Sequence, residues 1–564
     1  MRFLWILALA VCAAGADKRN TYTPNTDTRM TFQAPDSAEA WNARREALRK
    51  QILVAAGLWP APPKHPLHVL FAGRVERDGY SVEKVAIETM PGFWLGGNLY
   101  RPAQAGRHPA VLHPHGHWPY GRLENSALCS TPLLGANFAR NGFVVFAYDM
   151  LGYNDTVQAP HDFTGPQYQL WNFTPLGLQL WNSIRAADFL QSLPDVDPAR
   201  LAMTGASGGG TQTFLMAAVD GRLAAAAPVN MVSGIMQGGC VCENAPGLRI
   251  GTNNIETAAL FAPRPMLLVS ATGDWTREVP KVEFPAMRKV WELFGRAGDL
   301  EVVQFDAPHN FHKESREAVY EFFRKHLTPE RAPWRERNTA VEKLQDMLVF
   351  HGRRLPEGAL SFEELFEQWK RMARAAAWRM SAEEARERLR VAFAWDQRLK
   401  LEELPSKWFD GRAPAVLLLH PDGMAAAEQS AEFRSLRAAG RAVLLLDAFQ
   451  TGSAVAPRDR SHRHFLTYNV SDDAARVQDA AAAIEALAQR TKQPVEVRAT
   501  GRARWWALFA AAVADGAARF DAGPEEFSGD EARLEREFFV PGLLHAGGAG
   551  SALRVLAANA QLRK

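Results

Sequence analysis

Apolar positions along this chain recur with two spacings, about two residues in some stretches and about 3.6 in others, and the two patterns alternate. Residues 38–57 repeat apolar side chains at helical spacing, and the Pro-rich run LWPAPPKHP that follows must be extended. VEKVAIETM and FWLGGNLYRP read as an opening hairpin. PAVLHPHG, VVFAYDM, RLAMTGAS, LAAAAPVN, PMLLVSATGD and EVVQFDAPH are short apolar runs that read as buried strands. LWNSIRAADFLQSL and AVYEFFRKHL carry helical periodicity among and after them. Strands alternating with helices predict a largely parallel sheet covered on both faces, with chemistry beyond the carboxyl ends of its strands.

The pattern changes at residue 328. Residues 328–412 are rich in Arg, Glu and Ala and read as a charged helical linker, after which the strands return over 413–564. PAVLLLHPDG matches PAVLHPHGH, and RAAGRAVLLLDAFQTGS matches ARNGFVVFAYDMLGYND. EVRATGRARWWALFAAAVADG matches RLAMTGASGGGTQTFLMAAVDG, and FVPGLLHAGG echoes ENAPGLRIG. The order of these matches predicts an internal repeat, a second and truncated copy of the same sheet. A length of 564 residues agrees, since it exceeds what one core of roughly 250–300 residues organises.

Composition narrows the class. Hydrophobic residues make up 47% and charged ones 23%, as in an ordinary globular chain. Lys and Arg number 65 against 62 Asp and Glu, with the signs interspersed, so nothing asks for a nucleic-acid partner. Arg2, the apolar run over residues 3–11 and Ala14-Gly15-Ala16 read as a secretory signal over 1–16, which predicts a secreted or periplasmic protein. No later stretch is long and apolar enough for a bilayer span.

Export leaves Cys129, Cys240 and Cys242, an odd number. A bridge from Cys129 to either of the other two is open, and sequence does not fix the pairing. Cys240-x-Cys242 alone offers too few ligands for zinc. His113-x-His115-x-His117 lacks a further His/Asp cluster to complete a site, so neither metal nor cofactor is expected.

The chemistry concentrates at TGASGGG. Gly205-Ala206-Ser207-Gly208-Gly209 follows a strand and opens a helix, with glycines permitting the sharp turn that lifts a serine hydroxyl above the sheet. Such a hydroxyl needs a base, and the base needs an acid to hold its tautomer. Asp274 lies just past the strand PMLLVSA, and His309 just past the next one, in the order serine, acid, histidine. His312 is the rival base, though it should begin the closing helix, and Asp306 is the rival acid, though it sits too close to the histidine. For the oxyanion, the backbone N–H of Gly208 supplies one donor and His117, after His115-Gly116, the other. Residues 230–265 form a connection too long to be a simple one, and such loops are usually functional. With Trp118, Trp275 and the segment after Asp149 it is expected to wall an aromatic pocket suited to sugar rings. Arg249, Asn254 and Glu256 are the expected contacts to sugar hydroxyls.

VEKVAIETMPGFWLGGNLYRP, the HGHW loop, DMLGYNDT, TGASGGG, ATGDWT and HNF resemble bacterial α/β-hydrolases of the acetyl xylan esterase and dienelactone hydrolase type. The likeness covers roughly residues 35–327 and implies an α/β-hydrolase fold over 17–327, mostly parallel, followed by a truncated α/β-hydrolase-like domain. It implies an exported serine esterase acting on acetylated plant polysaccharide, with Ser207, Asp274 and His309 as its triad. Dienelactone hydrolases use a cysteine nucleophile, so the serine here departs from that branch. The second copy reads Gly501-Arg502-Ala503-Arg504-Trp505 where the first has its serine, and it holds no equivalents of Asp274 and His309. Two other readings stay open: a serine peptidase of the prolyl-oligopeptidase type, which lacks its β repeat here, and a non-catalytic carbohydrate-binding scaffold.

Overall fold

The computed structural model describes residues 17–329, 332–396, 398–515, 518–520, 527 and 531–561. The leader expected over residues 1–16 lies outside the described residues. Among them, no helix is long and apolar enough to cross a membrane. The chain divides into two compact units: an N-terminal unit of residues 24–379 with 466–468, and a C-terminal unit built from residues up to 23, 380–465 and 469 onward.

The N-terminal unit is organised by nine strands: β1 (Val69–Arg77), β2 (Tyr80–Met90), β3 (Phe93–Pro102), β4 (His108–Pro114), β5 (Val144–Tyr148), β6 (Val196–Ala206), β7 (Leu223–Val229), β8 (Met266–Gly273) and β9 (Leu300–Pro308). Their order is β1-β2-β3-β5-β4-β6-β7-β8-β9. β1, β2, β3 and β5 pair antiparallel, and from β5 to β9 every pairing is parallel. Alternation along each strand sends side chains to two helical layers. Val145 and Ala147 of β5 share a core with the helices Thr131–Arg140 and Lys313–Leu327. Phe146, between them, points the other way and meets Phe189 of the helix Pro175–Ser192, with ring centroids 5.1 Å apart. Such a sheet, entered by antiparallel strands and covered on both faces, is the doubly covered sheet that the strand pattern predicts and the α/β-hydrolase fold that the resemblance implies. β1 escaped that reading because most of its positions are exposed or half-exposed and the apolar signal is weak.

The stretch 328–412 is shared between the two units. Its composition reads as a charged helical linker, but several of its apolar side chains face inward, while Trp378 is exposed. In the helix Phe362–Arg379, Leu365, Trp369, Ala373 and Ala377 are buried, and Trp369 Nε1 donates to the Trp171 carbonyl at 3.0 Å within the N-terminal unit. From Met380 onward the chain packs in the C-terminal unit, where Arg390 Nε donates to Val513 O at 2.8 Å and Phe393 meets Phe509. Residues 17–23 also join the C-terminal unit rather than the N-terminal one, because Arg19 pairs with the buried carboxylate of Asp479 at 2.8 Å.

The C-terminal unit carries β10 (Ser406–Phe409), β11 (Arg412–Leu419), β12 (Arg441–Leu446), β13 (Val495–Ala499) and β14 (Ala518–Phe520), in the order β10-β12-β11-β13-β14. β10 is antiparallel to β12 and the remaining pairings are parallel. This is the order and polarity of β3-β5-β4-β6-β7. A local detail repeats too. Asp149, after β5, accepts the backbone N–H six residues on, at Asp155 (3.0 Å), and Asp447, after β12, accepts that of Ser453 (2.8 Å).

Candidate active site

Ser207 stands between β6 and the helix Gly208–Val219, with φ +58° and ψ −125°. Non-glycine residues rarely adopt a positive φ, and one held there is strained by about 1–3 kcal/mol. The turn is held from both sides: Ser207 N donates to Val229 O at 3.1 Å, and Ser207 O accepts from Thr211 N at 3.0 Å. Gly209 is required by proximity, since a Cβ there would lie 2.3 Å from Pro114 O at the end of β4.

Asp274 and His309 come together from the ends of β8 and β9. His309 Nδ1 lies 2.8 Å from Asp274 Oδ2, with the two side chains 23% and 2% exposed. The other carboxylate oxygen accepts from Thr276 N at 2.7 Å and Thr276 Oγ1 at 2.5 Å, which fixes the plane of the acid. An N–H on Nδ1 donating to Asp274 leaves Nε2 with its lone pair, and Nε2 is buried with no hydrogen-bond partner among the described residues. Trp275 and Trp118 pack against the His309 ring, with centroids 4.3 and 5.9 Å away. Both tryptophans therefore wall the imidazole. The rivals take other roles. His312 caps the helix Lys313–Leu327, accepting from Ser315 N at 3.2 Å, and the exposed Asp306 accepts from Thr272 Oγ1 at 2.5 Å.

The loop after β4 runs against the serine. A Cβ on Gly116 would fall 3.0 Å from Ser207 Cβ, an approach that only glycine allows. The Gly116 backbone thus lies close to the turn, and the first N–H groups of the helix Gly208–Val219 have no partner within the helix by its geometry.

Other expectations are corrected. Arg249, Asn254 and Glu256 are buried and bonded to the protein itself, the first two within the loop and Glu256 to Arg44. Arg249 Nε donates to Asn254 Oδ1 at 2.8 Å, and its Nη1 to Glu243 O at 3.0 Å. Asn254 Nδ2 donates to Gln237 O at 3.0 Å, and Glu256 pairs with Arg44 at 2.8 Å. Cys129, Cys240 and Cys242 are all free, so the bridge from Cys129 does not form.

The histidine triplet splits. His113 Nδ1 bonds Thr204 O at 2.8 Å, and burial pushes its pKa down to about 4. His115 Nε2 accepts from Met150 N at 2.9 Å, and burial pushes it down to about 3. Only His117 faces elsewhere, joining His161, Cys240 and Cys242 in a cluster whose ligand atoms all lie within 4.8 Å of one another. The triplet is therefore not a single set of ligands, and the expectation that no cluster exists around it is corrected for His117 alone. That expectation failed because His161 lies in a separate loop, after β5, with nothing in the local sequence to link it to Cys240-x-Cys242. A second missed group is Arg122, wholly buried between Asp149 and Asp155. Burial pushes Asp149 up to about 7 even with that guanidinium beside it.

Comparison with known proteins points the same way. The family model described as acetyl xylan esterase (AXE1) matches residues 75–232, a stretch that includes Ser207 but neither Asp274 nor His309. The solved structure of methylesterase BT1017 is 29% identical with a TM-score of 0.51, covering 59% of this chain and 75% of that one. The protein YtaP of Bacillus subtilis (strain 168), a hydrolase by name, is 28% identical over 192 residues. That match covers 32% of this chain and 62% of YtaP, so the chain spans less than two thirds of this relative's length.

Proposed function

We propose that this chain is an exported serine esterase that hydrolyses carboxylic esters on carbohydrate, with Ser207 as nucleophile, His309 as base and Asp274 as the acid that orients it. The observation that carries the reading is the Asp274–His309 pair at 2.8 Å, which leaves a buried, unpartnered Nε2, in the same unit as a serine held at φ +58°. In the first step Nε2 takes the Ser207 hydroxyl proton as Oγ attacks the ester carbonyl. The negative charge that develops on the carbonyl oxygen is met by the Gly208 and His117 backbone N–H groups. Collapse of the tetrahedral species breaks the ester C–O bond, and the alcohol leaves with the proton from His309. Water then gives its proton to Nε2 and attacks the acyl-serine, which releases the acid and returns the proton to Ser207.

Trp118 and Trp275 pack beside the imidazole, and an aromatic wall there suits a sugar ring, which favours a polysaccharide substrate. The acetyl xylan esterase match supports an acetyl ester, and the methylesterase likeness supports a methyl ester as a second candidate. Export rests on the Arg2-led apolar run and the Ala14-Gly15-Ala16 site. The C-terminal unit is read as a degenerate copy that has lost its chemistry.

A fluorophosphonate probe with peptide mapping tests the nucleophile. Wild type is expected to be labelled at Ser207, and Ser207→Ala to lose both the label and at least 1,000-fold of its activity on acetylated oligosaccharides, an effect of the order seen for nucleophile loss. A wild-type chain that stays unlabelled would end the enzyme reading.

A further inference from the structure

We propose that His117, His161, Cys240 and Cys242 form a tetrahedral Zn2+ site beside the active-site turn. The four ligand atoms come from the loops after β4, β5 and β7 and lie within 4.8 Å of one another. His117 Nε2 is 3.1 Å from His161 Nε2 and 3.1 Å from Cys242 Sγ, and Cys240 Sγ is 3.3 Å from His161 Nε2. A tetrahedral ion with Zn–N near 2.05 Å and Zn–S near 2.3 Å separates its donors by about 3.3 to 3.8 Å. These three contacts lie at or just under that range and the widest separation in the cluster is within 4.8 Å, so closure around an ion moves some donors apart by a few tenths of an ångström and draws others in by no more than about 1 Å.

The surroundings aim the donors inward. His161 Nδ1 lies 2.7 Å from Leu151 O; the N–H it donates there leaves Nε2 as a lone pair facing the cluster. Tyr153 packs edge-on against the same ring, with centroids 5.2 Å apart. The Glu243 carboxylate accepts the N–H groups of Gly239 and Cys240, each at 3.0 Å, and so shapes the loop that presents both thiols. Such outer contacts are what fix ligand orientation at metal centres. A hydrogen-bond account is poorer, because two imidazole Nε2 atoms at 3.1 Å share at most one proton, whereas one cation satisfies all four lone pairs.

Two imidazoles and two thiolates match the borderline-soft character of Zn2+ and its preference for a closed, four-coordinate structural site. Binding releases two thiol protons to solvent, and the resulting unit is electrically neutral, which suits a site with one fully buried ligand and three half-buried ones. The ion would act as a staple. The His117 ring lies against the residue after the nucleophile, where a Cβ on Gly208 would fall 2.7 Å from His117 Cε1. Zinc therefore holds the oxyanion loop to the loops after β5 and β7.

Metal analysis of the reduced full-length chain after zinc loading and gel filtration is expected to give one equivalent. Cobalt in its place should show the thiolate-to-metal band and the strong visible bands of a tetrahedral centre. Cys242→Ser and His161→Gln should each lose the metal at least tenfold, with circular dichroism reporting the fold separately. Ser207→Ala should keep it fully, so failure of the hydrolase reading and failure of the zinc site are told apart. Absence of stoichiometric metal in reduced wild type, cobalt spectra without the thiolate band, or a Cys240–Cys242 disulfide that persists under mild reductant would each overturn the proposal.

Discussion

Ser207 stores its strain in the backbone. With φ at +58° it occupies a region that glycine enters freely and serine does not. A serine stays there because the flanking bonds to Val229 O and from Thr211 N over-determine the turn. Ser207→Gly is therefore expected to abolish hydrolysis and yet raise stability by about 1 kcal/mol, once strain relief is set against the larger chain entropy of glycine. Thermal or urea unfolding of the two proteins checks this, and a glycine variant less stable than wild type would show that the turn is unstrained. The positions of Ser207, Asp274 and His309 just past β6, β8 and β9 were legible because each follows an apolar strand, so topology alone predicts which loops carry them. Arg249, Asn254 and Glu256 misled for the opposite reason. A polar residue in a long loop looks the same in sequence whether it meets a ligand or satisfies buried protein groups; here Arg249 and Asn254 donate to backbone carbonyls and Glu256 accepts from Thr252 and Arg44.

At the scale of elements, the active site depends on how closely the helix Gly208–Val219 can approach the end of β4. Every residue of that helix is buried, and its first turn lies against the Pro114 and His115 backbone. Gly209→Ala would place a Cβ 2.3 Å from Pro114 O and 3.0 Å from His115 O, neither of which can rotate away as a side chain would. Overpacking of this kind costs about 1–3 kcal/mol. It also pushes the His117 loop off the serine, so both the unfolding midpoint and kcat are expected to fall. Gly221→Ala, where nothing lies within 4 Å, serves as the control and should change stability by no more than about 0.5 kcal/mol. Elements were easiest to read where both faces are buried, as in β5 with five buried residues in a row. They were hardest where charge masked a narrow apolar stripe. The helix Phe362–Arg379 reads as linker by composition, yet Leu365, Trp369, Ala373 and Ala377, at spacings of four, bury one face of it. The metal-type cluster escaped because its four members belong to three loops, and only the fold makes them neighbours.

For the whole molecule, the proposal that two units of like topology differ in chemistry rests on what each sheet can deliver. β10-β12-β11-β13-β14 repeats the order of β3-β5-β4-β6-β7, and among the described residues the C-terminal sheet has no strands matching β8 and β9. Those two strands deliver Asp274 and His309 in the N-terminal unit, so among the described residues the C-terminal unit has no strand ends matching those that carry the proposed acid and base. Its turn has changed as well. The positive φ falls on Gly501, at +51°, Arg502 is helical with φ −64°, and Ala503, which the sequence match sets opposite Ser207, already begins a helix. A hydroxyl at 503 would lie along a helical first turn instead of standing above the sheet. Restoring the side chain is therefore not enough. In a Ser207→Ala background, Ala503→Ser is expected to remain unlabelled by fluorophosphonate and to hydrolyse no acetyl ester above the Ser207→Ala level. Labelling at position 503 would mean that the C-terminal unit keeps a base and an elbow of its own, and that its loss of chemistry amounts to a single side chain. The expected silence instead places that loss in the architecture: a nucleophile functions only where the strained turn, the base and the acid are supplied together by the strands around it.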